Sequence, residues 1–526
     1  MSTVASAHQT QPAESIWQRA AGLGDKPAVV DPDGGVIGFA ALATASHRVS
    51  KVLTDLGVRR GDVVCGLFPN THAALVVYLA ALETGVYYCP LNTHLTGPEI
   101  AYVLRDSGAG LFVADEALGE LAVAAADEAG LAEERRLGRG RIPGFSSLGS
   151  RVAAHTARPP DHRPAGHRLY YTSGTTGRPK GVLRPLPDVD ADTAAVRNAV
   201  RLHTNSHLPL DEDQVHLVVG PLYHGGPLGH AVTALHLGQT VVLTEKFSAE
   251  GTLGLIQRYR VTTSHFVPTM FHRMLKLPVE VRSRYDHSSL RAVVHAAAPC
   301  PPTVKRAMID WWGPIVHEYY GTSEGGSTSV TAQEWLERPG TVGRPVRGAA
   351  VRILDESGRE VPAGSQGLVH FRMGERFEYL HEPEKTAASQ RGDYFTAGDI
   401  GYLDADGYLF LCDRQAETII SGGVNIYPAE TEAALLTHPA VADAAVVGVP
   451  DDEWGEQVRA VVQLTEGHVP DEGTAQDIID HCRAALSSFK CPRQVDFVAV
   501  LPYTATGKLL RREVRAPYWQ GRDHTI

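Results

Sequence analysis

A chain of 526 residues exceeds what one compact core supports, so at least two domains are expected. Its 43% hydrophobic and 21% charged residues exclude a collagen-like or largely disordered chain. A net charge of −11 excludes a broad nucleic-acid-binding face, yet leaves room for anionic small molecules held by single lysines or helix N-termini. Met1 to Ser15 is polar and lacks both a basic region and an apolar core, so no signal peptide is expected. The most apolar run, Ala73 to Leu82, stops at Glu83, short of the ~20 residues a bilayer span needs. A cytoplasmic protein without stable membrane insertion is expected. Six cysteines without C-x-x-C, and 24 histidines without H-E-x-x-H, point to reduced structural thiols and to surface or core histidines.

In chain order, Val63 to Phe68 reads as a buried strand and Glu99 to Leu104 as helical. Arg136 to Arg141 is basic and Gly-containing, and is expected as a solvated loop. Buried strands follow at Val215 to Val219, Thr240 to Leu243 and Ala292 to His295, with a helix at Lys305 to Trp312. This alternation predicts an α/β architecture with largely buried sheets. Around Gly348 the texture changes. Val351 to Leu354, Leu368 to Phe371 and Tyr408 to Cys412 are short strands between Gly- and Asp-rich turns, predicting a small β-rich subdomain. Beyond Arg414 comes a compact mixed segment. Pro428 opens a helix that continues through Glu430 to Thr437 until Pro439 stops it. Strands at Ala444 to Val449 and Val458 to Leu464, a helix near Thr474 to Leu486 and a strand at Val495 to Val500 complete it. The expected division is therefore 1–413 and 414–526, a large N-terminal domain of layered α/β and β-rich subdomains and a small α+β C-terminal domain.

The strongest local signal is Tyr171-Thr-Ser-Gly-Thr-Thr-Gly-Arg-Pro-Lys-Gly-Val182. Its glycines let the backbone approach an anion, its hydroxyls and N–H groups donate to phosphate oxygens, and Lys180 adds a mobile charge. It does not fit G-x-x-x-x-G-K-[ST]. Further on, Asp399 is an acceptor-only carboxylate suited to two ribose hydroxyls, or to capping a turn. Glu324 is a hard oxygen ligand for Mg²⁺, or a surface glutamate. Tyr320 is a base-stacking platform or a core residue. The small side chains of Ala296 to Ala298 permit close approach of a planar base, or tight sheet packing. Lys508 alone reads as part of a solvated basic turn.

Thr172 to Gly181 resembles the phosphate-binding signature of the adenylate-forming superfamily of acyl- and aryl-CoA synthetases, luciferases and nonribosomal peptide adenylation domains. The resemblance recurs in order along nearly the whole chain. Leu82-Glu-Thr-Gly-Val-Tyr-Tyr-Cys-Pro-Leu-Asn92, Pro221-Leu-Tyr-His224, Tyr319-Tyr-Gly-Thr-Ser-Glu324, Tyr394-Phe-Thr-Ala-Gly-Asp399, Cys412-Asp-Arg414 with Ser421-Gly-Gly423, and Pro502-Tyr-Thr-Ala-Thr-Gly-Lys508 each match a family motif. The resemblance implies ATP, Mg²⁺ and coenzyme A. It implies phosphate binding by Thr172, Ser173, Gly174, Thr175, Thr176, Gly177 and Lys180, with Thr176 and Glu324 at the metal and in catalysis. Ala297, Ala298, Tyr319, Tyr320, Gly321 and Thr322 would surround the adenine, Asp399 the ribose, and Arg414, the hinge arginine, would also contact the nucleotide. Ala296, Gly321 and His224 would line the acid pocket. Ser421, Gly422 and Gly423 would line the thiol tunnel, where missing side chains leave room for a pantetheine arm. Lys508 would sit on the carboxylate and α-phosphate. Two unit charges about 4 Å apart interact by about 4 kcal/mol at an effective dielectric of ~20, roughly a thousandfold in rate if developed in the transition state.

The family usually carries Asp or Lys two residues beyond the hinge arginine, and this chain has Ala416. An altered balance between the conformations of a mobile C-terminal domain is expected. The acid-pocket loop Leu222-Tyr-His-Gly-Gly-Pro-Leu228 has no carboxylate for an amino acid's ammonium, so a neutral or anionic acid is expected, whether fatty, alicyclic, aromatic or polycyclic. The leading expectation is an ATP-dependent acid:CoA ligase acting through acyl-AMP. An acyl-AMP ligase loading a carrier protein, a non-catalytic nucleotide-binding protein and, remotely, a luciferase-like oxygenase remain as alternatives. A homo-oligomer is compatible with all of them.

Overall fold

The computed structural model describes residues 14–172, 179–372, 375–414, 417–421, 424–451, 454–504 and 509–520. Two parallel sheets form the body of the chain. Ser146–Ser147, Arg136–Arg139, Ala109–Asp115, Val63–Leu67, Tyr87–Pro90 and His167–Arg168 make a six-stranded parallel sheet in that order. Val63–Leu67 is buried at every position, as a central parallel strand covered on both faces must be. The helix His72–Glu83 beside it is apolar almost all round and buried along its length.

In the second sheet Pro27–Val30, Thr240–Leu243, Val215–Val218, Thr263–Phe266, Ala292–His295 and Val316–Gly321 run parallel in that spatial order. Helices between the strands cover it, among them Gly225–His236 and Pro302–Trp312, the latter opened by Pro302 in its first turn. The order of pairing turns antiparallel at Val316–Gly321, which meets Ser327–Val330, then Thr341–Pro345, then Leu409–Arg414. The β-rich region therefore begins near Ser327, earlier than the change of texture at Gly348 implied. Ser327–Val330 escaped notice because its Ser-Thr-Ser-Val sequence is polar on the exposed face and only four residues long.

A second correction concerns Arg136 to Arg141. Arg136–Arg139 is a strand, and Arg136 is buried, donating to Asp127 Oδ1 at 2.6 Å and from Nε to the Leu131 carbonyl at 2.8 Å. Its charge is satisfied locally, so charge alone did not mark a solvated loop. The Leu82 to Asn92 motif also gains a physical reason. The wholly buried Glu83 accepts from His47 Nδ1 at 3.0 Å, from the Ser50 hydroxyl and from Arg163 Nε at 3.0 Å, tying three segments together.

The C-terminal sheet pairs Val441–Asp451 antiparallel with Gly455–Leu464, and Gln494–Phe497 parallel with the latter. Helices Pro428–Leu435 and Glu472–Ala485 cover it, the second capped by the Asp471 carboxylate on the Thr474 N–H at 2.8 Å. Ile419, Leu435, Val446, Val458, Ile478 and Cys482 form its own core. His272 Nε2 meets the Ala442 carbonyl at 2.9 Å, joining this unit to the larger one. Among the described residues no helix is long and apolar enough to cross a membrane.

Candidate active site

A cleft of about 2120 Å³ opens between the two units, lined by residues from both parallel sheets, from the antiparallel region and from the C-terminal unit. Its first wall gathers the motifs. Lys180 begins the strand Lys180–Leu183, which pairs with Tyr170–Thr172 and with Glu378–Tyr379. The Lys180 ammonium stands 5.7 Å from the centroid of the Tyr379 ring, and the Tyr379 hydroxyl donates to Glu324 Oε1 at 2.7 Å. Partial burial and neighbouring Lys385 lower the Lys180 pKa, partly opposed by Glu382 and Glu324. Glu324 itself is buried at the cleft wall. The described residues contain no group of three or more His, Cys, Asp or Glu able to hold a metal by themselves. One carboxylate beside phosphate oxygens is instead the donor set that Mg²⁺ accepts when it travels with a nucleotide.

The Tyr320 hydroxyl donates to the Asp399 carboxylate, and the Tyr320 ring lies tilted 5.7 Å from Phe371. Asp399 pairs in register with Arg414 across the antiparallel strands. Strand alternation sends the preceding tyrosine the other way. Tyr319, which the resemblance assigned to adenine together with Tyr320, places its hydroxyl 3.2 Å from His265 Nε2 on the second wall. Thr322 holds the turn after this strand, its Oγ accepting from the Gly325 N–H at 3.2 Å. Gly321 ends the strand and lines the cleft. Ala296 is buried at the end of Ala292–His295, and Ala297 follows in the left-handed region at φ 76°. That conformation is costly for alanine and turns the exposed backbone into the cleft. Ala298 follows, half-buried.

The second wall is polar and aromatic. His224 caps the helix Gly225–His236, and its buried Nε2 has no hydrogen-bond partner among the described residues. Burial and neighbouring His94 push its pKa down to about 4, so the imidazole is neutral at pH 7. His230 stacks 4.8 Å from His265 and 6.1 Å from His216. Desolvation holds all three of these imidazoles neutral as well. Tyr78, Tyr170 and Tyr319 complete this wall with Arg168. Sequence reasoning missed His230 and His265, as well as Tyr379 and Arg168. His224 caps the helix Gly225–His236 that carries His230, and this spacing was the available signal, diluted among 24 histidines.

The third wall comes from the C-terminal unit. Tyr503, Thr504, Leu509 and Arg511 line the cleft, and Tyr503 bridges antiparallel to Leu509. Ser421 ends the strand Ile419–Ser421, opposite Gly455, while Thr418 and Ile419 reach the cleft. The structure thus brings Lys180, Glu324, His224, Ala296, Ala297, Gly321 and Thr322 to one cleft, with Asp399 and Tyr320 joined beside it. Ser173, Gly174, Thr175, Thr176, Gly177, Ala416, Gly422, Gly423 and Lys508, and the side chains of Thr172 and Arg414, lie outside the described residues.

Comparison with known proteins fits this geometry. The chain is 34% identical over 490 residues to a feruloyl-CoA synthase of Amycolatopsis sp, covering 92% of this chain and 94% of that protein. It is 32% identical over 501 residues to the fatty acid–[acyl-carrier-protein] ligase ScoC of Streptomyces coeruleorubidus, covering 93% and 92%. The crystal structure of the anthranilate CoA ligase AuaEII in complex with anthranoyl-AMP superposes with a TM-score of 0.85 at 27% identity, over 96% of each chain. The profile of the AMP-binding enzymes matches residues 16–375, and that of the AMP-binding enzyme C-terminal domain matches 430–508. With both profiles matched in order around a single cleft, the chain belongs to the AMP-binding enzyme family.

Proposed function

We propose that the protein is an AMP-forming acid–thiol ligase that activates a carboxylic acid as its acyl-AMP and passes the acyl group to coenzyme A. The observation that carries this reading is the three-walled cleft, with Lys180 and Glu324 on one wall and the neutral histidines on another. A carboxylate is a poor acyl donor. Its oxygen attacks the α-phosphorus of ATP, pyrophosphate leaves, and the thiol then attacks the mixed anhydride and releases AMP. Mg²⁺, when bound with ATP at Glu324, and at Thr176 by family resemblance, supplies charge neutralisation of the phosphates.

The chain's own residues have the following roles in this reading. Lys180 holds the β- and γ-phosphates, together with the hydroxyls and N–H groups of the 172–177 segment. Tyr379 orients the Glu324 carboxylate through its 2.7 Å hydrogen bond. Asp399 accepts from the ribose hydroxyls, held by Tyr320, with Arg414 opposite it in the strand pair. The Ala297 backbone and Ala298 sit against the adenine. His224, Ala296 and Gly321 border the acid, and neutral His224 adds no charge near its carboxylate. Lys508 contacts the reacting carboxylate and α-phosphate; its neighbours Thr504 and Leu509 line the cleft. Ser421, Gly422 and Gly423 flank the incoming thiol. The division at 413/414 separates the domain that binds ATP and acid from a C-terminal domain that turns about Ala416 between the two half-reactions. The Tyr170, His230, His265 and Tyr319 wall carries no carboxylate to hold an ammonium, which favours a non-amino acid.

Loading of a carrier protein is the second reading, favoured by the carrier-protein ligase relative. Incubation with Mg-ATP and acids, with and without CoA, separates the two. Acyl-CoA is expected; acyl-AMP that accumulates beside CoA and is discharged only by a carrier protein contradicts it. A cytoplasmic location accords with ATP and CoA as substrates.

A further inference from the structure

Several buried or half-buried arginines are neutralised by carboxylates: Arg136 by Asp127 at 2.6 Å, Arg163 by Asp192 at 2.6 Å and by Glu83, Arg511 by Glu417 at 3.0 Å and by Glu432. Arg168, Arg184 and Arg201 line the cleft together, from three different elements, and none has a carboxylate partner among the described residues. Arg168 lies on the short edge strand His167–Arg168, its guanidinium carbon 5.6 Å from the Tyr170 ring centroid, and its charge acts on the nearby Tyr78 hydroxyl. Arg184 follows the strand Lys180–Leu183 and, among the described residues, donates to the Ser323 carbonyl at 3.0 Å. Arg201, on the helix Ala191–Asn205, donates to Asn198 Oδ1 at 3.1 Å.

Neutral oxygens take up hydrogen bonds without cancelling charge. The acidic groups that act on the cluster are Glu375, on Arg184 and Arg201, and Glu324, on Arg184. The positive field is large enough to register on a neighbour: burial and then Arg168, Arg184 and Arg201 push His167 down to about 3. The hydroxyl of Tyr170, against the same guanidinium, is buried without a partner among the described residues. Three guanidiniums that outnumber the two nearby glutamates and form no ion pair with them among the described residues, with a hydroxyl that has no partner there, form a receptor for an anion on a wall of tyrosines and neutral histidines.

We propose that the acid activated here is a dicarboxylic acid, whose second carboxylate, remote from the reacting one, is held by Arg168 with Arg184 and Arg201 around it. This inference rests on the acid–thiol ligase reading. Its body packs among Tyr78, Tyr170, Tyr319 and His265. Only one carboxylate reacts; the other is bound by charge-assisted hydrogen bonds and is unchanged in the product. A phosphate of ATP or CoA is the other source of the same anionic chemistry, and the experiment separates the two.

The full chain is assayed for pyrophosphate release with Mg-ATP and CoA, using benzene-1,3- and 1,4-dicarboxylate, hexanedioate and decanedioate, each against its monomethyl ester. The best diacid is expected to exceed its half-ester at least about tenfold in kcat/KM. In Arg168→Gln the KM for that diacid is expected to rise about 10- to 100-fold, collapsing the discrimination, with Arg168→Lys intermediate. Arg201→Gln is expected to give a smaller rise of the same kind and serves if Arg168→Gln does not fold. Half-esters turned over as well as their diacids overturn the inference while leaving the ligase reading intact. A rise in the KM of ATP or CoA in place of that of the acid also overturns it, assigning the arginines to a nucleotide phosphate. No pyrophosphate from any diacid, with release from a monocarboxylic acid assayed alongside, overturns this inference while leaving the ligase reading intact; no release from either class overturns the ligase reading, and this inference with it.

Discussion

The first and second walls of the cleft are built on opposite plans. The wall assigned to the nucleotide is made of short contiguous runs, in which Lys180 follows its Ser/Thr/Gly segment and Glu324 closes Tyr319-Tyr-Gly-Thr-Ser-Glu324. The wall assigned to the acid is assembled from residues of separate elements, with Tyr78, Arg201 and His230 on three helices and Arg168, His265 and Tyr319 on strands of the two parallel sheets. The difference follows from the chemistry. Every member of such a family must hold the same triphosphate, which one loop does best. The acid varies, and a wall of independent side chains can change one position at a time.

The largest test of this contrast lies on the activation side. Lys508→Ala is expected to lower acid-dependent pyrophosphate release by about a hundredfold or more, whatever the acid, given the Coulomb magnitude of a lysine on a developing charge. An effect that differs strongly between acids would move Lys508 to the selectivity side. Asp399→Ala is expected to raise the KM for ATP by about tenfold or more and leave the ranking of acids unaltered. Measured KM values for ATP and for several acids check this.

A structural counterpart concerns Glu83. Replacing it with alanine leaves Arg163 and His47 facing a vacated buried site, and a loss of about 3–5 kcal/mol in chemical denaturation is expected. A loss below about 1 kcal/mol would show that the network carries little stability.

The histidines give the smaller, pH-dependent effect. Burial pushes His203 and His236 down to about 3 and His230 to about 4, whereas an unfolded histidine titrates near ~6.5. The unfolded chain therefore binds more protons between those values. Stability from these groups is fully present above about pH 6.5 and falls as pH drops toward 4, by about 1.4 kcal/mol per pH unit for each. His203→Leu, at a position where neither ring nitrogen has a partner, is expected to flatten the acid limb by one group's share. Denaturation midpoints at pH 7, 6 and 5 measure it, and parallel limbs for both proteins would contradict it.

The smallest effect is expected at Ala416. Changing it to aspartate, the residue type more usual at this place in the resembling family, is expected to shift the ratio of the two half-reaction rates by a few-fold in single-turnover measurements. Unchanged rates in both half-reactions would remove the hinge argument.

How far the sequence disclosed this molecule follows the same division. The alternating apolar runs at Val215 to Val219, Thr240 to Leu243 and Ala292 to His295 gave parallel strands nearly residue for residue, because buried parallel strands carry unbroken apolar sequence. Ser327–Val330 was missed because a short strand exposed on one face looks like a turn, and Arg136 because a locally paired arginine looks like a solvated one. Lys180 and Glu324 were readable because their motifs are contiguous. Arg168 was not: its meaning depends on the absence of a carboxylate partner, and that is a property of space. Tyr319 and Tyr320, adjacent in sequence, point to different walls, which a motif read as one unit hides.

The central claim is that one cleft performs adenylation and thiol transfer in succession. The most direct test is to supply the purified protein with Mg-ATP, a panel of aromatic, alicyclic and aliphatic mono- and dicarboxylic acids, and CoA, and to follow acyl-AMP, pyrophosphate and acyl-CoA by mass spectrometry. The account predicts equal amounts of pyrophosphate and acyl-CoA with at least one acid class, acyl-AMP alone when CoA is withheld, and neither product with Lys508→Ala. Nucleotide binding without acid-dependent pyrophosphate from any acid would contradict it.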